Sequence, residues 1–334
     1  MNFEFHYYVN FIVAITAGFT FKDACKIAYS AQYVDHNHTQ YNVYLAKAGK
    51  NIKLFTNHVS CSNNIMNPSQ LPLILYLAFH FVPGNPQIVA INRSDQVKNF
   101  LCTTKNANLA KKMLIKGLET KDPYYIGIAS HAYADTWAHQ NFSGVIDEIN
   151  ALYPPRSYLQ IGHLDAFTLP DSINTVWYDT RLKNPLVDNN AIFIEAAIYL
   201  LKHYMKFRQH SKVNYIQSKR QLQQFLGSTF QIPNIKYRIQ EYRKYIELTY
   251  SKKLQYFDEM KWIKKISNHE IIDDTIFVQD ISQFQNSDWY KFQIACKAYF
   301  ECIYPKLLAR IHSYYRNYPV STELSPTSFH YLTT

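Results

Sequence analysis

Apolar residues recur every three or four positions along most of the chain, which is the period of amphipathic helices. The main exception is Asp35–Pro72, a polar, Asn-rich and turn-like stretch with short strand-like pieces such as Ile52–Phe55. The run Leu73–Val82 is continuously apolar around His80. The pattern predicts helices over Asn10–Gln32, Asn108–Glu119, Pro123–Phe142, Ala191–Arg208, Ile235–Trp262 and Trp289–Tyr315.

Glycine is scarce, with 8 residues in 334. Turn-rich β-sandwiches and Gly-loop nucleotide folds need positive φ angles repeatedly, so this composition favours an all-α, multi-helix fold. Pro and Gly residues interrupt the helical pattern over Tyr153–Pro185, before the long C-terminal helices begin. We therefore predict an N-terminal helical domain over 1–185, a basic helical subdomain packed on it over 186–318, and a flexible tail over 319–334.

The formal net charge of +10 is concentrated in one part of the chain. Between Leu200 and Lys265 there are 15 Lys and Arg residues against 4 Asp and Glu residues. Such a block either steers the protein towards an anionic membrane, a nucleic acid or an acidic partner, or forms a solvated helical face. Of the macromolecular partners, we favour the membrane over the nucleic acid.

The five cysteines are widely spaced and include no C-x-x-C pair, which argues against a disulfide framework and a thiolate zinc finger.

Val9–Phe21 is fairly apolar, but Met1–Asn10 contains no Lys or Arg, which a signal peptide would contain. No apolar run reaches the ~18 residues of a membrane span. We expect a cytoplasmic protein, or one exported without a conventional signal peptide.

The sharpest chemical signal is His131, Asp135 and His139, spaced four residues apart on a predicted helix. Residues at this spacing lie along one helix face. Between Tyr124 and Gly144 there is no Lys or Glu, so the helix is otherwise apolar and must bury these groups. Imidazole and carboxylate suit Zn²⁺ or another divalent ion, so we interpret the stripe as metal ligands rather than an ordinary polar face.

Other candidate ligands lie in short separate segments. A lone His in an apolar run is usually a satisfied core histidine, but several such segments together favour a shared site. These candidates are His6, Asp35, His80, His163 and Asp165.

The segments that carry these residues occur in a specific order. They are Phe5–Tyr8, Ala31–Asp35, Phe79–Gly84, Asp122–Tyr124, His131–Phe142, and Gly162–His163 with Pro170–Asp171. Together they resemble an uncharacterised bacterial domain family of unknown function, over roughly residues 1–185. More distantly, the layout resembles the zinc-dependent phospholipase C and P1 nuclease superfamily, whose members are all-helical and cleave phosphodiesters with three zinc ions.

That second resemblance implies roles for individual residues. His131 and Asp135 match the superfamily's helical pair, and its later acid, expected at Phe167, would be replaced by Asp165 or Asp171. The superfamily also binds metal through the amino group of a processed N-terminal Trp, whereas this chain begins Met1-Asn2. The remaining matches are His6, Asp35, His80, His139 and His163.

The leading functional hypothesis is a metal-dependent phosphoester hydrolase with one to three zinc ions, other divalent metals being possible. Asp35 is the candidate catalytic base or bridging ligand, and the substrate is a phosphoester small molecule or a lipid head group. Two alternatives stay open, namely a non-catalytic metalloprotein and an interaction protein of the secreted-effector type. No His-Asp dipeptide, H-E-x-x-H, G-x-G-x-x-G or Walker pattern occurs.

Overall fold

The computed structural model describes residues 1–47, 50–62, 70–152, 160–207, 214–267 and 271–317. The α-helices are α1 (Asn10–Thr16), α2 (Phe21–His36), α3 (Gln70–Leu75), α4 (Pro86–Asn92), α5 (Asn108–Thr120), α6 (Pro123–Ala138), α7 (Asn189–Phe207), α8 (Tyr215–Thr229), α9 (Ile235–Tyr250), α10 (Lys261–Ile266), α11 (Ile281–Asn286) and α12 (Asp288–Asn317). Two π-helical segments, Glu4–Val9 and Tyr76–His80, extend α1 and α3. Three short 3₁₀ helices are Glu148–Asn150, Leu164–Ala166 and Leu169–Asp171.

The chain also contains two β-sheets, so the predicted all-α fold is wrong. The strands are β1 (Asn42–Lys47), β2 (Lys50–Thr56), β3 (Val176–Tyr178), β4 (Leu186–Asp188), β5 (Ile271–Ile272) and β6 (Thr275–Val278). The larger sheet is mixed, with the order β2-β1-β6-β5, and the smaller one pairs β3 with β4. The protein is therefore a mixed α/β protein, although most of the described chain is helical.

The larger sheet depends on a contact between distant parts of the chain. β1 pairs antiparallel with β2 and parallel with β6, so that Asn42 lies beside Thr275. Each strand is short, and the central place of β1 in the sheet depends on its pairing with β6, a segment far away in the sequence. This is why the sequence pattern of 35–72 predicted turns with strand-like pieces rather than a sheet.

Several predicted helices exist with shifted or divided boundaries. The first predicted helix is interrupted after α1, where Gly18 adopts a φ of 92°. The predicted helix Ile235–Trp262 is two helices, because Ser251 takes a left-handed conformation and ends α9. The helices α4 and α8 fall in stretches for which no helix was predicted.

The helix α6 runs through the centre of the molecule. Asp122 caps its N-terminus by accepting a hydrogen bond from the backbone N–H of Tyr124, and Pro123 occupies the first turn. Every residue from Tyr124 to Ala138 is buried, which confirms the prediction that this helix turns its ionisable residues inwards. Close contact with α2 is possible because Gly127 has no side chain: a Cβ there would lie 2.4 Å from the carbonyl oxygen of Ile27.

One apolar core contains residues from both predicted domains, from Phe5 to Tyr314. A buried ion pair also joins the two halves, with the guanidinium of Arg238 on α9 donating two 2.7 Å hydrogen bonds to the carboxylate of Glu4. The division at residue 185 stays a prediction. The predicted tail, 319–334, lies outside the described residues.

All five cysteines are free thiols, in agreement with the absence of a disulfide pattern. Within the described ranges, no helix is both long and apolar enough to cross a bilayer.

Candidate metal centre

Eight side chains from separate segments converge in the interior of the protein, and we call them the His/Asp cluster. They form three groups whose potential ligand atoms lie within 4.8 Å of one another, and each group could hold a metal ion. The groups are His6, Asp35 and His131; His80, His131 and Asp135; and His139, His163 and Asp171.

Different helices bring these side chains together. α6 contributes His131 and Asp135 from its interior and His139 from its C-cap, so the spacing of four residues does place all three on one face. The π-helical segment ahead of α1 carries His6, and the one after α3 ends at His80. Asp35 lies in the last turn of α2.

Four of the histidines hydrogen bond to backbone carbonyl oxygens through one ring nitrogen. His131 Nδ1 lies 2.8 Å from Ala31 O, and His139 Nδ1 lies 2.8 Å from His80 O. His163 Nδ1 and His80 Nε2 contact Phe167 O and Ser60 O at 2.8 and 3.3 Å. Since a carbonyl only accepts, each of these nitrogens must carry the proton, which leaves the lone pair of a neutral ring on the other nitrogen.

The nitrogens that do not face carbonyls point at one another and at carboxylates. His131 Nε2 lies 3.1 Å from His80 Nδ1, and it lies 3.2 Å from Asp135 Oδ2. His6 Nε2 is buried and makes no well-formed hydrogen bond, although Asp135 Oδ1 is 3.1 Å away. In neutral rings these nitrogens carry lone pairs, and together with the carboxylate oxygens they form a donor set that fits a metal ion.

The carboxylates also control the proton affinities of the cluster. Burial lowers the pKa of His80, but Asp135, Cys61 and Asp35 together outweigh burial and raise this pKa well above its usual value. Burial lowers the pKa of His6 to about 4, and the adjacent imidazole of His131 acts in the same direction. The histidines therefore differ in proton affinity, and the part of the cluster around Asp135 attracts cations.

The α-amino group of Met1 is part of the same arrangement. It is completely buried, contacts Asp135 Oδ1, and lies 3.0 Å from Asp171 Oδ1. Burial lowers the pKa of this amine, but the two carboxylates outweigh burial and raise it to about 10. The prediction from sequence did not include this group.

Of the predicted ligands, Asp165 does not join the others. Its Oδ2 accepts a hydrogen bond of 3.3 Å from the backbone N–H of Leu152. Phe167 has a φ of 51°, and the following turn brings Asp171 back to the histidines instead. The carboxylate of Asp171 contacts His163 Nε2 at 2.9 Å and His139 Nε2 at 3.0 Å. Of the two acids that the resemblance offered, the structure places Asp171 in the cluster.

Three side chains of the cluster are partly exposed to solvent, whereas the other five are buried. The side chains of His6, His80, His131, Asp135 and His139 are at most 7% exposed. Asp35 is 33% exposed, Asp171 23% and His163 20%. A small molecule can therefore approach the cluster at Asp35 and at the pair formed by Asp171 and His163.

Comparisons with known proteins place the chain in a family without assigning an activity. A family model described as "Family of unknown function (DUF6765)" matches residues 1–307. No curated protein matches the chain, and no solved structure does. The family resemblance thus extends well beyond the 1–185 predicted from motifs, while the likeness to the phospholipase C and P1 nuclease superfamily stays a prediction. The chain belongs to the family of unknown function DUF6765.

Proposed function

We propose that the His/Asp cluster binds one to three divalent ions, with zinc favoured, and that the loaded centre hydrolyses a phosphoester. The observation that supports this proposal is the hydrogen bonding of four of the five histidines. Each of the four donates one ring N–H to a backbone carbonyl and turns the other nitrogen towards the carboxylates. This arrangement is the usual outer support of metal-binding histidines, because it fixes the ring's tautomer and orientation. Nitrogen and oxygen ligands without sulfur suit zinc and also other first-row ions.

When bound, such ions lower the pKa of water and offset negative charge on phosphoryl oxygens. The protein's own contribution is to hold five imidazoles and three carboxylates in a largely buried site. Burial keeps competing water away from most of these groups and strengthens their electrostatic interactions. Asp35 is the most exposed residue of the cluster, and we expect a phosphoester to approach there.

Asp35 is the carboxylate best placed to act as a base. Its Oδ1 lies 3.6 Å from His131 Nε2 and 3.7 Å from His80 Nδ1, while its side chain remains one-third exposed. The side chain of Gln32 donates a 3.3 Å hydrogen bond to the other carboxylate oxygen, which fixes its orientation. Asp35 can therefore contact both the cluster and a water molecule from solvent.

The test is hydrolysis of bis(p-nitrophenyl) phosphate and of phosphatidylcholine by zinc-loaded protein. We expect turnover by the wild type, and a loss of about 100-fold in kcat for Asp35→Asn, because a positioned base contributes on that order. Metal content of both proteins is measured in parallel, and Asp23→Asn, in the first turn of α2 and outside the cluster, is the matched control. If Asp35→Asn keeps the kcat of the wild type, Asp35 has no catalytic role. If the fully zinc-loaded wild type shows no turnover, both substrate classes are excluded.

The inner part of the cluster favours a second function, a structural ion. His6, His80, His131 and Asp135 are almost completely buried, as expected for a closed site that fixes helices to one another. A cobalt-substituted protein separates the two functions. A visible spectrum that changes on adding phosphate or fluoride indicates an open position, whereas an unchanged spectrum supports a closed structural site.

A further inference from the structure

A cavity of about 520 Å³ lies outside the His/Asp cluster, and none of the eight cluster residues lines it. Its walls come from α2, the loop that follows α9, α10 and the start of α12. Six lysines from these four segments line it. They are Lys22, Lys26, Lys253, Lys261, Lys265 and Lys291, and we call the site the basic cavity.

Few acidic groups offset the positive charge of the lysines in the basic cavity. Asp288 is the single carboxylate in its described lining, and it already accepts a 2.6 Å hydrogen bond from the hydroxyl of Tyr124. Lys253 forms an exposed salt bridge of 3.2 Å with Glu247. Over the described ranges, the other five lysines form no salt bridge. Like charges in a concave site produce a focused positive potential that attracts anions.

The floor of the basic cavity is aromatic and held in place by hydrogen bonds. The hydroxyl of Tyr7 donates to Gln255 O at 2.9 Å, and that of Tyr29 donates to Asp258 O at 2.6 Å. Both bonds fix the loop that follows α9. The ring of Trp262 packs 3.9 Å from that of Tyr29, measured between centroids. The cavity is therefore formed before any ligand binds, which lowers the entropic cost of binding.

We propose that the basic cavity binds a small organic phosphate with at least two negative charges, of the size of a nucleoside diphosphate. Lysine ammonium groups are compact, mobile point charges that suit phosphate oxygens. The volume lies within the range of roughly 300–1,000 Å³ typical of small-molecule sites, and the aromatic floor suits the organic part of the ligand. An ordinary solvated face would carry its lysines on a convex surface, whereas these converge from four segments on one concavity.

Calorimetric titration with ADP tests this proposal. We expect saturable binding by the wild type, and an affinity about tenfold lower for Lys26→Gln/Lys261→Gln, which removes the two less exposed lysines. The control Lys112→Gln/Lys219→Gln changes the net charge equally outside the cavity and is expected to stay within about twofold of wild type. Circular dichroism checks that both variants fold.

Two further titrations and one vesicle-binding measurement determine the location of the site and the class of its ligand. Asp35→Asn should bind ADP as tightly as wild type, which keeps this site separate from the metal centre and independent of the proposed hydrolase activity. Absence of ADP binding, equal affinities of the two double variants, or inorganic phosphate binding as tightly as ADP would each overturn the proposal. Retention on phosphatidic-acid vesicles without ADP binding would overturn it too, and would indicate a membrane surface instead.

Discussion

At the scale of single residues, the centre is defined by which ring nitrogen of each histidine carries a proton. The carbonyl of Ala31 accepts from His131, and that of His80 accepts from His139. These carbonyls belong to buried helical segments, so the rings cannot reorient freely. A metal would therefore meet ligands that are already oriented, and little ordering entropy would oppose binding.

The pKa of His6 predicts how the metal-free protein responds to acid. Burial lowers this pKa to about 4 in the folded state, against about 6.5 in the unfolded chain. As pH falls from 6.5 to 4, the unfolded chain takes up the proton first, so His6 disfavours folding increasingly across this window. The effect is about 3 kcal/mol in the free energy of unfolding.

Urea denaturation of chelator-treated protein at pH 7 and at pH 4.5 measures this effect. His6→Gln should lose less stability than wild type on acidification, because Gln does not titrate. His312 is exposed, so His312→Gln serves as the control. This variant should lose as much stability on acidification as the wild type. Parallel losses in all three proteins would show that His6 is not held neutral by burial.

Seven of the eight cluster residues were predicted from the sequence as ligands. The eighth predicted ligand was Asp165, with Asp171 as its alternative, and it is Asp171 that lies beside His139 and His163. The stripe on α6 could be predicted because its spacing is local and the helix is otherwise apolar. The choice between Asp165 and Asp171 could not be predicted from the sequence. It depends on the positive φ of Phe167 and on a turn that brings Asp171 back to His163.

At the scale of elements, the close packing of α2 against α6 places Asp35 beside His131. Gly127 makes this contact possible, since a Cβ there would lie 2.4 Å from Ile27 O and 2.6 Å from Ser30 Cβ. Backbone carbonyls of a buried helix cannot move away independently. Any side chain at this position must therefore push the two helices apart.

Gly127→Ala should accordingly lower the free energy of unfolding by about 2–3 kcal/mol, through overpacking, and reduce metal affinity. Gly227→Ala on α8 is the matched control, because nothing lies within 4 Å of the added Cβ. That change should be neutral or stabilise by up to about 1 kcal/mol, since Ala favours helix. Thermal unfolding and metal titration of both variants measure the difference, and equal behaviour would contradict the packing account.

Helices were predictable where the apolar period was continuous, as in α5, α6, α7 and α12. The division of the predicted helix 235–262 depends on the left-handed conformation of Ser251, which no glycine marks. The sheet was not predictable for a different reason. The parallel pairing of β1 with β6 joins segments more than 200 residues apart, and periodicity within a short window carries no information about it.

At the scale of the whole molecule, the N-terminal segment and α9 are joined by the buried pair of Glu4 and Arg238. Arg238 also donates to the carbonyls of Ile232 and Pro233, at 2.6 and 2.9 Å, so that its guanidinium is fully engaged. This contact ties the segment that carries His6 to the basic C-terminal half. The metal centre should therefore depend on residues far from it in sequence.

Arg238→Ala leaves the buried carboxylate of Glu4 without its positively charged partner, which should cost about 3–5 kcal/mol of folding stability. Lys297→Ala removes one partner of an exposed pair with Glu301 and should cost less than about 1 kcal/mol. Chemical denaturation of both variants gives the comparison. A loss for Arg238→Ala no larger than that for Lys297→Ala would show that the halves are not joined through this pair.

The most direct test of the central claim is the metal content of the protein purified without chelator, measured by elemental mass spectrometry. We expect one to three equivalents of a divalent ion, with zinc favoured, in the wild type and in His312→Ala. His131→Ala/Asp135→Ala should lose most of it, since both residues belong to the group that also contains His80. Two results would contradict metal binding by the His/Asp cluster. One is a wild type that stays metal-free after incubation with zinc, and the other is a double variant whose zinc content is unchanged.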